Sequence, residues 1–471
     1  MNTDAQEKKL FKNTGILAVG TILTKCISFI IIVFYSAWLT SEEYGQFELF
    51  ISYVSLLIPC FSLSCGEAIF RLMIEKQSYK DEKELVSSGA AVYFIGFIIS
   101  SVTACGILYR YLGNLIFYFI ILYLTEMIYN FCTFVARGTK KLTCFTISGV
   151  VNTFVMASMT VVLVKFGGWG LKGLIIGYCV GYICASGCIM QMVKVQRYVS
   201  VFAISKNKLY EMLCYSLPLI PNSIAWWIAS ASDRTIVTLN LGAEYTGIYS
   251  IAHKIPSLCV IIYNVFHLSW QENVSEVFID KRDQNTYFNR IFNKILPTIL
   301  SVSVFILSIN YYMFKYVFDA KYALGYKHVW ILITGTIFSF LAQFIGGIFI
   351  GQKRSKSNGY TTILAALTNI IVDWLLIRYI GLYAASVSTV VAYVTLFLIR
   401  VYLVKSTFRI QIEKCNVVFV VVYIYFIIMQ FNNNQWLRAL NVFIAIVVAV
   451  CANIDFIKMA LSSLKEKLKK V

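Results

Sequence analysis

The sequence predicts an all-α integral membrane protein: about fourteen transmembrane helices in two parallel six-helix bundles, with two extra C-terminal helices. Three observations carry this. The chain is too apolar for a soluble core, its apolar runs have membrane-crossing length, and its first half repeats in its second. Of 471 residues, 59% are hydrophobic and 14% charged, with a mean hydropathy of +0.73. Soluble domains average about 45–50% apolar and about 25% charged residues. Only 26 Gly and 5 Pro are present, so low complexity does not explain the excess. Disorder needs low hydrophobicity and is excluded.

A spanning helix needs about 20 apolar residues. Runs of that kind fall at 14–38, 45–66, 85–108, 112–135, 143–165, 171–193 and 209–240. Seven more follow at 247–269, 291–314, 328–350, 360–378, 382–404, 416–431 and 437–456. The connections leave no room for an extramembrane domain. The first run is too long for a signal-peptide core and reads as an uncleaved helix. The thirteen cysteines are scattered singly. They form no disulfide framework or zinc knuckle and serve as small apolar filler.

Basic residues orient the chain, because cytoplasmic loops retain Lys and Arg. Of the 41 Lys and Arg, 30 adjoin the N-terminus, the even-numbered turns and the tail; nine adjoin the other turns and two lie within spans. Arg400 counts among the 30. Both termini are therefore expected in the cytoplasm. Trp38, Trp169, Trp270, Trp330 and Trp436 are expected at helix ends, as an interfacial aromatic belt. The tail from Lys458 to Lys470 reads as a basic helix on anionic headgroups. The net charge of +18 is spread in small packets between apolar runs, unlike a nucleic-acid-binding face.

Two matches reveal the duplication. Leu39-Thr-Ser-Glu42-Glu-Tyr-Gly45-Gln-Phe47 aligns with Leu241-Gly-Ala-Glu244-Tyr-Thr-Gly247-Ile-Tyr249. Gly170-Leu171 through Tyr182 aligns with Gly381-Leu382 through Tyr393. The expected domains are 1–195, a six-helix bundle; 205–405, its repeat; and 414–471, helices 13–14 with the tail. Six is even, so both copies start on the same side. Parallel repeats are a transporter plan, in which two bundles rock about a central site.

Gly168-Trp-Gly170-Leu-Lys-Gly173 fits G-x-G-x-x-G, but no strand precedes it and no acid follows about 20 residues on. No P-loop is present. His253, His267 and His328 are too separated for a helical metal motif, so no metal or cofactor is expected. The informative signal is charge at membrane depth, where an ionisable group faces a partner or a cavity. Lys25, Glu48, Glu126, Asp233, Arg234, His253, Lys254 and Asp373 all fall within runs. Arg234 and Lys254 lie ten residues either side of Glu244, about 15 Å along antiparallel helices from their shared turn. Asp233 could neutralise one of these cations but not both. Ser223, Trp227, Ser230 and Arg234 form a polar face with Asn222, Trp226 and Asp233 alongside, and Ser250, His253, Ser257, Asn264 and His267 form another. Hydroxyls, amides and aromatic faces suit a sugar. Structural ion pairs and interhelical polar glue are the plainer alternatives. Pro218, Pro221 and Pro256 are expected to interrupt helices 7 and 8, as broken helices do at transporter sites.

At this stretch the sequence resembles the Wzx-type polysaccharide flippases, in the superfamily that also holds MATE drug exporters and MurJ-like lipid II flippases. The likeness rests on Pro218-Leu-Ile-Pro-Asn222-Ser-Ile-Ala-Trp226-Trp227, Ser232-Asp233-Arg234, Gly247-Ile-Tyr249-Ser, Lys254-Ile-Pro256 and Trp270-Gln271. A weaker match covers Leu39 to Arg71, with Gly66-Glu67 and Arg71. Thr246 stands where the family often has Asn. The resemblance implies a carrier, not an enzyme, which moves undecaprenyl-diphosphate-linked oligosaccharide units across the bacterial cytoplasmic membrane. It implies membrane lipids as surroundings, and a polysaccharide polymerase and glycosyltransferases as pathway partners. The expected diphosphate lining is Arg234, Lys254 and, from the opposite bundle, Lys25. Asn222, Trp226, Trp227 and Asn264 are expected beside the sugars. Asp233, His253, Asp373, Glu48, Glu67 and Arg71 supply coupling or structural charge. A drug antiporter should present a more acidic cavity, and a polymerase should carry a large external loop, which this chain lacks.

Overall fold

A computed structural model describes residues 23–75, 78–279, 284–352 and 354–454. The fold is all-helical among these residues. The expected basic tail helix lies outside them. In order the helices are α1 (Leu23–Trp38), α2 (Ser41–Phe61), α3 (Cys65–Glu75), α4 (Tyr79–Leu112), α5 (Leu115–Gly138), α6 (Leu142–Thr160), α7 (Gly170–Val193) and α8 (Lys206–Ser216). Then follow α9 (Ile220–Leu241), α10 (Ala243–Ile279), α11 (Gln284–Tyr312), α12 (Tyr326–Gly351), α13 (Ser355–Ile380), α14 (Tyr383–Val404), α15 (Lys414–Met429) and α16 (Gln435–Ala452). π-Helical turns extend α6 over Val161–Phe166 and α11 over Met313–Val317.

Ten described helices are long and apolar enough to cross a membrane. The other four expected positions also hold helices: α1 and α15 are shorter apolar ones, and α9 and α10 carry the charges described below. Several helices outrun their apolar runs. The 34 residues of α4 extend about 50 Å at 1.5 Å each, against a hydrocarbon core of about 30 Å. Their charged ends thus reach past the lipid.

Some expected spans are broken. Helix 2 divides into α2 and α3 at Leu63 and Ser64, both left-handed, just after Pro59. Helix 7 divides into α8 and α9 through a 3₁₀ turn holding Pro218, with Pro221 in the first turn of α9. Pro lacks an N–H and fits such first turns. Pro256 does not break α10, which runs through it.

The chain forms two compact units, Met1–Gly247 and Ile248–Val471. In the first, α7 packs most closely on α6 and α5; in the second, α14 packs most closely on α12 and α13. These pairs occupy matching places in the duplication. Gly177 and Gly181 let α7 approach Thr160 and Asn152 of α6, the small-residue packing of membrane helices. Gly170 and Gly381, matched in sequence, both have positive φ, the first opening α7 and the second two residues before α14.

Matched residues also meet within the first unit. A Cβ on Gly45 would strike the Ala243 carbonyl, and one on Gly247 would strike that of Ser41. Ser41 and Ala243 are themselves matched, so this contact between the first turns of α2 and α10 is reciprocal.

In the second unit α11 carries α15 and α16 on its flank. The 405–413 linker before α15 is zipped to it by asparagines four apart. Asn285 Oδ1 accepts from Arg409 N (2.9 Å), Asn289 Oδ1 from Gln411 N (2.7 Å) and Asn293 Oδ1 from Glu413 N (3.0 Å). Asn289 and Asn293 amides donate to the Arg409 and Gln411 carbonyls at 2.8 and 2.7 Å. The periods match, because four helical residues rise about 6.0 Å and two extended ones about 6.6 Å.

Two expectations from the sequence are corrected here. Trp270 is not an interfacial ring: α10 continues past it, and it is 1% exposed. It stacks 4.1 Å from Phe344 and donates to the Phe344 carbonyl, in space that Gly347 leaves. Arg400 is not a loop cation. It is buried in α14, donating to the Ala342 carbonyl (2.7 Å) and to the Thr361 and Thr362 hydroxyls, so it carries no weight in the orientation count. All thirteen cysteines are free thiols, as their scatter implied.

Candidate functional site

Two of the charges at membrane depth, Glu48 and Arg234, meet where α2 packs on α9. Arg234 Nε lies 3.8 Å from Glu48 Oε2, and Glu48 Oε1 accepts the Tyr44 hydroxyl at 2.8 Å. Both side chains are nearly enclosed. Arg234 Nη1 donates to the Ser230 carbonyl at 3.2 Å. Asp233 is buried, and its Oδ1 accepts the backbone N–H of Arg234 at 2.8 Å. A carboxylate seen against the guanidinium is thus Glu48, 186 positions away in sequence. A 3.8 Å contact is loose beside the 2.7–2.9 Å of a tight charge-assisted hydrogen bond.

One turn before Ser230, Trp227 donates its indole N–H to the Ser52 carbonyl (2.7 Å) and stacks on Tyr53. Trp226 is half-buried and Asn222 is exposed in the first turn of α9. The α9 hydroxyls are partly committed: Ser223, Ser230 and Ser232 each donate to the carbonyl four residues back. A hydroxyl that donates in this way can still accept, and Ser230 is exposed. Lys25 is exposed on α1, and Glu67 and Arg71 are exposed one turn apart on α3.

In the second unit, His253 and Lys254 are half-buried on α10. The His253 ring is 6.0 Å from that of Tyr249. Ser257 donates to the Lys254 carbonyl at 2.6 Å. Asp373 of α13 is fully buried. The side chains of Asn264 and His267 lie outside the described residues.

A further polar cluster was only half legible. Glu126 appears in the sequence as a lone mid-helix acid; the fold surrounds it with tyrosines. Tyr182 lies beside it, with the Tyr129 ring 5.6 Å and the Tyr178 ring 6.4 Å from that of Tyr182. Glu126 Oε2 and Asn152 Oδ1 are buried with no hydrogen-bond partner among the described residues. No group of metal-binding side chains occurs among those residues.

The fold and sequence can be placed among known proteins. A family model described as "Polysaccharide biosynthesis protein" matches residues 10–269. No curated protein matches the sequence. Among solved structures, the lipid II flippase MurJ in an inward closed conformation superposes with a TM-score of 0.71 at 14% identity, over 94% of this chain and 99% of that one. An inward-facing multidrug resistance MATE family transporter of the MOP superfamily gives 0.67 at 14% identity, over 81% and 95%. An outward-facing multidrug resistance MATE family transporter of the MOP superfamily gives 0.58 at 12% identity, over 83% and 94%. At these identities the likeness is one of fold.

Proposed function

Since this chain belongs to the polysaccharide biosynthesis protein family, we propose that it is a flippase for undecaprenyl-diphosphate-linked oligosaccharide units. It works by alternating access in the bacterial cytoplasmic membrane, with both termini cytoplasmic. Two parallel six-helix repeats do the rocking, and helices 13–14 are an appended pair. The observation that carries the reading is the nearly enclosed Arg234–Glu48 pair, on a helix whose same face bears Trp227 and Ser230.

The Arg234 guanidinium lies 3.8 Å from the Glu48 carboxylate in a nearly enclosed place. An incoming diphosphate offers it a bidentate partner at shorter range, and Tyr44 keeps Glu48 hydrogen-bonded when the pair opens. Lys254 and Lys25 add positive charge for the second phosphate. Trp226, Trp227, Asn222 and Asn264 serve the sugars by stacking and hydrogen bonding. Asp233, His253 and Asp373 are candidates for the coupling proton; Glu67 and Arg71 are assigned to structure. Glycosyltransferases and a polymerase of the same pathway would supply and consume the cargo. Lipid II or a drug is the alternative cargo, by likeness to the lipid II flippase and the multidrug resistance transporters of similar fold.

The test is export in cells of lipid-linked oligosaccharide by Arg234→Ala, Lys254→Ala and Lys25→Ala proteins that reach the membrane at normal abundance. A lost charge-assisted contact is worth about 1.5–3 kcal/mol, so each variant should export about tenfold less or worse. Arg234→Lys should recover only part. Near-normal export by all three would leave these residues as helix-packing charges.

A further inference from the structure

Two left-handed glycines bracket a tryptophan between α6 and α7: Gly168 at φ +66° and Gly170 at φ +49°. Any other residue would be strained at either position. At Gly170 a side chain would also strike the Glu43 carboxylate. That close approach lets Glu43 Oε1 accept the Leu171 N–H at 3.1 Å, in the first turn of α7, where a helix favours negative charge. Glu43 Oε2 accepts the backbone N–H and the hydroxyl of Thr40, at 3.0 and 3.1 Å. One carboxylate therefore ties the α1–α2 turn to the start of α7.

Beside this tie is a cavity of about 630 Å³ lined by Glu43, Gln46, Leu115, Tyr118, Trp169 and Lys172, with the turn backbone. Trp169 is 55% exposed. Lys172 Nζ stands 5.8 Å from the Tyr118 ring centre. The walls thus offer two aromatic rings, an amide, an ammonium and a carboxylate. The volume lies within the range of about 300–1,000 Å³ usual for small-ligand sites. A dianion would face Glu43 and an organic cation would face Lys172. A neutral polyhydroxyl ligand can use both charges as hydrogen-bond partners, and a sugar ring can lay its C–H face on an aromatic one. Residues of an interfacial aromatic belt sit singly at helix ends; here rings from α5 and from the α6–α7 turn line one concavity. By the basic-residue asymmetry this end of the unit faces outward.

We propose that this outer cavity is a saccharide-binding subsite, which takes one or two glycosyl residues of a neutral sugar chain. It rests on the flippase reading for the source of that glycan, though not for the chemistry of its walls.

The experiment is saturation-transfer NMR on the purified full chain in lipid nanodiscs. The probes are free glucose, galactose, rhamnose, N-acetylglucosamine and their disaccharides. At least one should receive saturation from the wild type. Trp169→Ala should weaken that binding about fivefold or more, Gln46→Ala should weaken it too, and Trp169→Phe should keep most of it. Unchanged thermal unfolding of the variants would establish that they fold. Arg234→Ala should bind sugar as the wild type does while failing to export. If no probe binds the wild type, or binding survives undiminished in both Trp169→Ala and Gln46→Ala, the subsite is refuted. Sugar binding that depends on Trp169, in a wild-type protein that exports no lipid-linked oligosaccharide, would instead refute the flippase reading and leave the subsite standing.

Discussion

Replacing Asn289 with Ala should unzip the linker that tethers α15. The side chain makes two bonds to that linker, accepting from Gln411 N at 2.7 Å and donating to the Arg409 carbonyl at 2.8 Å. A neutral hydrogen bond is worth about 1 kcal/mol net. Water can reach the exposed Arg409 and Gln411, so no further desolvation penalty is added. The loss is about 2 kcal/mol, and at 1.4 kcal/mol per decade the locally open population rises about 30-fold. Trypsin reports it directly, because Arg409 lies within the zipped segment. When closing is faster than cleavage, the cutting rate follows the open population. Cleavage at Arg409 should accelerate about 30-fold in Asn289→Ala, while cleavage at Arg197 in the other unit stays constant. An unchanged rate at Arg409 would mean that packing of α15 and α16 on α11, and not the asparagine zipper, holds the linker.

Two other predictions concern the frame. Gly45→Ala should lower the unfolding temperature in detergent, with a cost of about 1–3 kcal/mol, because its methyl would meet the Ala243 carbonyl. Gly106→Ala, with no atom within 4 Å, should not, and equal behaviour of the two would dismiss the close contact. Reporter fusions after Lys208 and Lys356 should read cytoplasmic and fusions after Gly242 external; the reverse pattern would overturn the orientation and move the proposed saccharide subsite to the inner face.

Much of the frame was legible because lipid imposes long, countable apolar runs. The duplication was legible because its signals, Gly45 with Gly247 and Gly170 with Gly381, sit where backbone geometry admits only glycine. Breaks were read unevenly. Pro218 and Pro221 signalled the α8–α9 break, whereas the α2–α3 break turns on Leu63 and Ser64, which carry no left-handed signature. Hydropathy also misplaced Trp270 and Arg400. A run of apolar residues ends where charge begins, but α10 and α14 continue, and tertiary partners bury both side chains. The site was legible as residue types at membrane depth. Its pairing was not, since Glu48 reaches Arg234 only through the packing of α2 on α9. The zipper is likewise obvious only afterwards: Asn285, Asn289 and Asn293 share a helix face, and nothing in their spacing names the extended strand they hold.

The central claim is that a cationic lining on α9 moves a diphosphate-linked glycan. Purified protein in liposomes, given an undecaprenyl-diphosphate oligosaccharide with a fluorescent sugar, measures this most directly through the rate at which the sugar becomes accessible to a membrane-impermeant quencher. The account predicts transport by the wild type, about tenfold or greater loss in Arg234→Ala, and no transport of the same glycan on a neutral lipid. Equal transport of the neutral glycolipid, or an undiminished rate in Arg234→Ala, would contradict it.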